Sequence, residues 1–62
     1  MTRYQIETSN GLYYIFRFVG ASSREYFSGY DFMGSVDWTA EPEYGMDAVD
    51  ACQIIMDLEA AE

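Results

Sequence analysis

The dipeptide Asn10-Gly11 constrains the fold of this chain more than any other feature, because strand-like segments stand on both sides of it. Residues 3–8 alternate as a half-buried strand does, with polar side chains on one face and the less polar Tyr4, Ile6 and Thr8 on the other. Residues 12–19 are almost continuously apolar, which favours a central strand. Asn-Gly between two such segments is the strongest short-range signal of a hairpin. The chain is therefore predicted to begin with an antiparallel β-hairpin.

Two registers of this hairpin are open. A two-residue loop places Ile6 opposite Ile15, whereas a three-residue loop with Gly11 in the left-handed region places Ile6 opposite Tyr14. The second is preferred, because a one-residue slip would divide the apolar set between the two faces. It predicts a packed face of Tyr4, Ile6, Leu12, Tyr14, Phe16 and Phe18. It leaves the outer face to Arg3, Gln5, Glu7, Tyr13, Ile15 and Arg17.

Two more strands follow the hairpin. Residues 24–31 have a strand pattern, in which Gly29 indicates a bulge or close packing by a neighbour. Phe32 to Ser35 is predicted to be a turn, and Val36 to Thr39 a short fourth strand that directs Val36 and Trp38 inward. Residues 40–45 form a loop, since Pro and Gly interrupt regular structure there.

A helix is predicted from about Ala48 to Ala60, with Asp47 as its N-cap. Its apolar face consists of Ala48, Ala51, Cys52, Ile55, Met56 and Leu58, so Cys52 is expected to be a small core residue. The fold class is therefore α+β: one domain over residues 1–62, with an antiparallel sheet of three or four strands and the C-terminal helix packed on one face.

The size of the chain limits how it is stabilised. With 62 residues and one cysteine it forms no internal disulfide, so dense packing of its aromatic residues, 18% of the chain, must stabilise the fold. The unpaired cysteine fits a reducing compartment, and we expect a cytoplasmic protein. No apolar run is long enough to span a membrane and no secretory signal is visible, so no membrane partner is expected.

The chemistry open to these residues is narrow. The chain has no His, no Lys and no glycine-rich phosphate loop, which excludes the common nucleophile–base sets. Paired carboxylates act on sugars in some enzymes, but a domain this small has little room for the necessary pocket. The nearest acidic group, Glu41, Glu43, Asp47 and Asp50, lacks the spacing of a calcium loop. We therefore expect no enzymatic activity, no cofactor and no metal site.

The charge is unevenly distributed. Eleven acids and three arginines give a net charge of −8, which opposes direct binding to nucleic acid. Residues 1–30 carry a net charge of +1, whereas residues 31–62 hold nine acids and no cation. Self-repulsion in such a segment destabilises the compact state, and solubility alone needs less charge. At the helix C-terminus, Asp57, Glu59 and Glu62 also oppose the dipole.

This distribution predicts an acidic surface that docks on a basic one. The plain alternative is a solvated surface that only keeps the chain soluble. Carboxylates on a helix and loop can replace phosphates on a protein surface that normally receives DNA or RNA. The residues expected to carry the charge are Glu41, Glu43, Asp47, Asp50 and Asp57, with Asp37, Glu59 and Glu62 as secondary contacts. Tyr44 is the expected anchor, because Tyr is enriched at protein interfaces.

Three segments carry a resemblance to a known group: LYYIFRF from Leu12, DWTAEPEYG from Asp37 and MDAVDACQIIMDLEAAE from Met46. With its size, charge and element order, the chain resembles small acidic phage-encoded anti-CRISPR proteins of type I, with type I-C as the first assignment. The resemblance implies inhibition without catalysis, in the cytoplasm of an infected bacterium. The implied mechanism is binding to a Cascade subunit and blocking its contact with target DNA. These inhibitors share no common motif, so no residue set is transferred.

A second hypothesis belongs to a different class. The chain would be a structural or oligomeric interaction module that pairs sheet edges, or its Tyr13, Ile15 and Val19 face, with another copy. A monomer or a weak homodimer is expected.

Overall fold

Four strands and one helix occur in the predicted order. A computed structural model describes residues 3–62. The elements are β1 (Tyr4–Ser9), β2 (Leu12–Val19), β3 (Ser23–Tyr30), β4 (Val36–Thr39) and α1 (Ala48–Ala60). The strands form one antiparallel sheet in the order β1-β2-β3-β4, and α1 packs on the face that includes Ile15. The predicted α+β fold class is confirmed.

The first hairpin has a two-residue loop. Asn10 and Gly11 both have positive φ, 53° and 80°, as a type I′ turn requires. Ile6 therefore lies opposite Ile15, and the preferred three-residue register is wrong. The type I′ turn matches the right-handed twist of the strands, and Asn and Gly are the residues that adopt this conformation at low cost.

The register decides which side chains share a face. Tyr13 and Ile15 project on the same face as Tyr4 and Ile6, and Ile15 is 0% exposed in the core. The prediction that Tyr13 and Ile15 lie on an outer face is therefore wrong. The side chains of the opposite face are Leu12, Tyr14, Phe16 and Phe18, which were predicted to share a face with Ile6. β2 is apolar on both faces, and each face buries one of its side chains, Ile15 and Phe16, so an apolar pattern alone does not distinguish the two faces.

The core lies between the sheet and α1. Its buried residues are Ile15, Phe27, Met46, Ala51 and Leu58, against which Tyr4, Tyr13, Val36, Trp38, Ile54 and Ile55 pack. The inward orientation of Val36 and Trp38 is confirmed. The ring of Tyr4 in β1 stacks on that of Trp38 in β4, with centroids 6.0 Å apart. The sheet therefore curls enough for side chains of its two edge strands to meet.

An aromatic cluster lies on the second face of the sheet. Phe16 and Tyr26 are buried there without any contribution from the helix, and their ring centroids lie 5.6 Å apart. The guanidinium of Arg24 lies over Phe16, 4.6 Å from the ring centroid, and over Phe18. Such cation–π contacts keep the charge at the surface while the side chain shields the rings.

The helix begins where the sequence predicts. Asp47 is the N-cap, and its Oδ1 accepts a hydrogen bond from the backbone N–H of Asp50 at 2.8 Å. The buried face centres on Ala51 and Leu58. Cys52 is exposed, so its prediction as a core residue is wrong. Two further members of the predicted apolar face, Ala48 and Met56, are exposed as well. The sheet touches only a narrow stripe of α1, and these positions are rotated out of that stripe.

Gly29 lies in a β-bulge and is also closely packed by a neighbour, the two alternatives predicted for it. The β3–β4 register shifts between Phe27 and Tyr30, and Gly29 within this bulge has φ 102°. The ring of Tyr44 lies 3.5 Å from the position that a Cβ at Gly29 would occupy. The loop that carries Tyr44 then bonds to β2 through Met46, which exchanges backbone hydrogen bonds of 2.8 and 3.0 Å with Tyr13.

Candidate functional site

Two arginines form ion pairs with glutamates of the sheet. Arg17 donates from Nε and Nη2 to Glu25 Oε1 at 3.1 and 2.8 Å, and it also lies over the Trp38 ring. Arg24 pairs with Glu7 on the opposite face at 3.0 Å. Both arginines thus pair with glutamates of the first half of the chain, so the scaffold hairpins are close to neutral.

Tyr26 and Glu7 also stabilise the charged form of Arg24. Hydrogen bonding to the Tyr26 hydroxyl is the largest cause that raises the pKa of Arg24, and the charge of Glu7 adds to it. Arginine is a cation at physiological pH in any case, so these contacts fix the position of the charge and do not change its sign.

Eight of the nine acids in residues 31–62 are exposed. They are Asp37, Glu41, Glu43, Asp47, Asp50, Asp57, Glu59 and Glu62, and we call them the acidic surface. The ninth, Asp31, is half-buried in the β3–β4 loop. The negative charge of the sequence is therefore displayed to solvent along β4, the loop after it and α1. All eight acids predicted to contact a partner belong to this surface.

The topology brings some of these acids together and separates others. Alternate connections of an antiparallel sheet lie at the same end, so the β1–β2 turn and the β3–β4 loop share one end. Met46 forms backbone hydrogen bonds with Tyr13, which lies next to the β1–β2 turn. These bonds place the start of α1 at that end too. We call it the turn end; it gathers Glu43, Asp47 and Asp50. The last turn of α1, with Asp57 and Glu59, lies about 15 Å further along the helix axis, at about 1.5 Å per residue.

Tyr44 is only partly available as an anchor. Its ring packs perpendicular to that of Phe27, with centroids 5.6 Å apart, and it remains 47% exposed. It borders a surface pocket of about 290 Å³, whose walls are Tyr44, Gly45, Met46, Asp50, Gln53 and Ile54. The structure thus places Tyr44 and Asp50, two of the predicted contacts, in one concave site.

The pocket does not have the arrangement of a glycosidase. Asp50 is the one carboxylate among its lining residues, whereas such enzymes use a pair that flanks the scissile bond. Within residues 3–62, no group of three or more His, Cys, Asp or Glu side chains is placed to hold a metal ion. The one helix in this part of the chain is not long and apolar enough to cross a membrane.

The sequence did not single out the β3–β4 loop, which carries the most exposed large apolar side chains of the described chain. Phe32 is 98% exposed and Met33 is 78% exposed. The signal was present: two large apolar residues occupy a predicted turn, where polar residues are usual. The face proposed for an interaction module was also wrong, because Ile15 is buried and Tyr13 packs on the core.

Comparison with protein families, with curated proteins and with solved structures found no match for this chain.

Proposed function

We propose that this protein is a non-enzymatic inhibitor that binds a basic, nucleic-acid-binding surface of a protein partner through its acidic surface. The observation that carries the proposal is the separation of charge. Arg17 and Arg24 are paired within the sheet, while eight acids of β4, the following loop and α1 face solvent. Exposed carboxylates complement the Lys and Arg side chains that otherwise neutralise phosphates, so the protein would compete with DNA or RNA.

The placement of acids on α1 supports a role in binding. Asp50 lies in the first turn, where a carboxylate stabilises the helix. The last turn has no basic residue, and Asp57 and Glu59 there oppose the helix dipole by a few tenths of a kcal/mol each. A basic partner would remove this unfavourable interaction when it binds.

The resemblance to anti-CRISPR proteins makes type I-C Cascade the first partner to assay. The measurement is competition between this protein and a fluorescent target duplex for purified Cascade, at low and at high salt. We expect inhibition of DNA binding that weakens steeply as salt increases, because exposed charges are screened.

A charge-neutralised variant tests the acidic surface at its turn end. Glu43→Gln, Asp47→Asn and Asp50→Asn remove three charges, and the Asp47→Asn change retains the N-cap, since asparagine caps as well as aspartate. We expect inhibition to weaken by about tenfold or more, with a smaller salt dependence. The matched control, Ala21→Lys, Ser22→Lys and Ser23→Lys, changes the net charge equally at the opposite end of the sheet and should retain more inhibition. If the neutralised variant inhibits like the wild type, acidic mimicry is refuted.

One observation favours the alternative, an oligomeric interaction module. Leu12 and Phe18 are about half-exposed on the sheet face that α1 does not cover. Pairing of this face between two copies would bury both side chains. Light scattering distinguishes the two functions: a dimer that persists at high salt favours the module, and a monomer favours the inhibitor.

A further inference from the structure

The β3–β4 loop displays two large apolar side chains in an otherwise acidic half of the chain. Phe32 and Met33 are 98% and 78% exposed, more than any other large hydrophobic residue described. We call them the apolar tip. Exposure of single apolar residues is ordinary, but two adjacent ones at the end of a hairpin form a projecting knob. Aromatic residues and Met are enriched at protein interfaces.

The loop that carries the tip is held in one conformation by Asp31. Its Oδ1 accepts hydrogen bonds from the backbone N–H groups of Met33 and Ser35 at 2.8 and 2.9 Å. Its own N–H donates to the Ser35 carbonyl at 2.8 Å, and its carbonyl accepts from Gly34 at 3.0 Å. A loop backbone fixed in this way loses little conformational entropy on binding, so the position of the tip is preorganised.

The surroundings of the tip define what it can enter. The β3–β4 loop lies at the turn end, the same end as Glu43, Asp47 and Asp50. A protein surface that extends across this end of the sheet from the tip would also face these carboxylates. Charge complementarity therefore requires Lys or Arg side chains around the apolar pocket. A second copy of this chain would bring two molecules of net charge −8 together, and an anionic membrane would repel it.

We propose that the apolar tip inserts into an apolar pocket on the partner protein, and that a rim of Lys and Arg side chains surrounds this pocket. The inference rests on the proposed function, because the rim belongs to the same basic surface. The tip would supply a contact that salt does not weaken, beside carboxylate contacts that it does.

The test compares two double variants in the Cascade competition assay. Phe32→Ala with Met33→Ala removes the tip, and Val49→Ala with Met56→Ala removes two similarly exposed apolar side chains from α1. We expect the tip variant to lose about tenfold or more in inhibition at both salt concentrations, as truncation of an interface anchor does. The helix variant should remain within about twofold of the wild type, a difference below about 0.5 kcal/mol in binding. Equal urea midpoints for all proteins show that folding is unchanged.

The outcomes separate this inference from the proposed function. A tip variant that inhibits like the wild type overturns the inference, even where the charge-neutralised variant is weakened. A weakened tip variant beside an unaffected charge-neutralised variant overturns both the basic rim and the acidic mimicry. A wild-type protein that leaves DNA binding by Cascade unchanged overturns the assignment of this partner and, with it, the inference.

Two further measurements test other occupants. Sedimentation that shows a wild-type dimer dissociating in the tip variant would overturn the inference in favour of a second copy. Co-flotation of the wild type, but not the tip variant, with phosphatidylcholine vesicles would overturn it in favour of a lipid surface.

Discussion

The substitutions Ile15→Val and Ile6→Val test the register of the first hairpin. The two isoleucines are cross-strand partners on the same face of the sheet, so the chemical change and the strand environment are matched. They differ in burial, since Ile15 is 0% exposed and Ile6 is 40% exposed. The difference between the two effects therefore reports which side chain is enclosed between sheet and helix.

The expected magnitudes follow from burial. Each substitution removes one methylene group, which contributes about 0.8 kcal/mol when fully buried. At Ile15 the loss also leaves a cavity, because Phe27 and the helix surround the site; the expected loss of stability is about 1–1.5 kcal/mol. At Ile6 solvent fills the space, and burial of about 60% scales the effect to about 0.5 kcal/mol or less.

The assay is thermal and urea unfolding followed by circular dichroism. A domain of this length has an unfolding free energy of about 3–9 kcal/mol, so both variants remain folded. Because 1 kcal/mol shifts Tm by about 4–8 °C at this size, the two substitutions should be clearly resolved. Unchanged m-values would show that the variants unfold from the same compact state.

The opposite order of effects would refute the observed register. A three-residue loop would enclose Ile6 and expose Ile15, so it predicts that Ile6→Val is the more destabilising substitution. Equally small losses would mean that neither side chain is enclosed, and that the packing of α1 on β2 is wrong.

Three other predictions follow from local structure. Asp47→Ala should destabilise the protein by about 1 kcal/mol in urea unfolding, through loss of the N-cap bond to Asp50, and Asp47→Asn should not. Gly29→Ala should cost about 1–2 kcal/mol, because φ is 102° and the ring of Tyr44 is adjacent; a neutral result would contradict the bulge. Cys52 should react with a thiol reagent in the native protein at nearly the rate of the unfolded chain. Strong protection of the thiol in the native protein would mean that Cys52 is buried.

Local chemistry accounts for most of what the sequence predicted correctly. The N-cap at Asp47 needs only a carboxylate and free backbone N–H groups, which are a few residues apart. The bulge at Gly29 follows from the one residue in β3 that adopts a positive φ without strain. The strands and α1 were placed within about one residue, since alternating and helical periodicities are local patterns.

The errors occurred where two faces compete for apolar residues. β2 carries Ile15 on one face and Phe16 on the other, and both are buried. Periodicity identifies the face of a strand only when the other face is polar, so it gave no basis for choosing between the registers. The same limit applies to Cys52, which is apolar but lies outside the stripe of α1 that contacts the sheet.

The sequence by itself determined the order of elements, the absence of an internal disulfide and the concentration of negative charge in residues 31–62, because each depends on residue type and on near neighbours. Tertiary structure decided the hairpin register, the burial of Ile15 and the exposure of Phe32. It also placed the start of α1 at the same end of the sheet as the β3–β4 loop, through the backbone hydrogen bonds between Met46 and Tyr13. These properties depend on contacts between residues distant in the chain, and packing of both faces of one sheet selects among patterns that the local sequence permits equally.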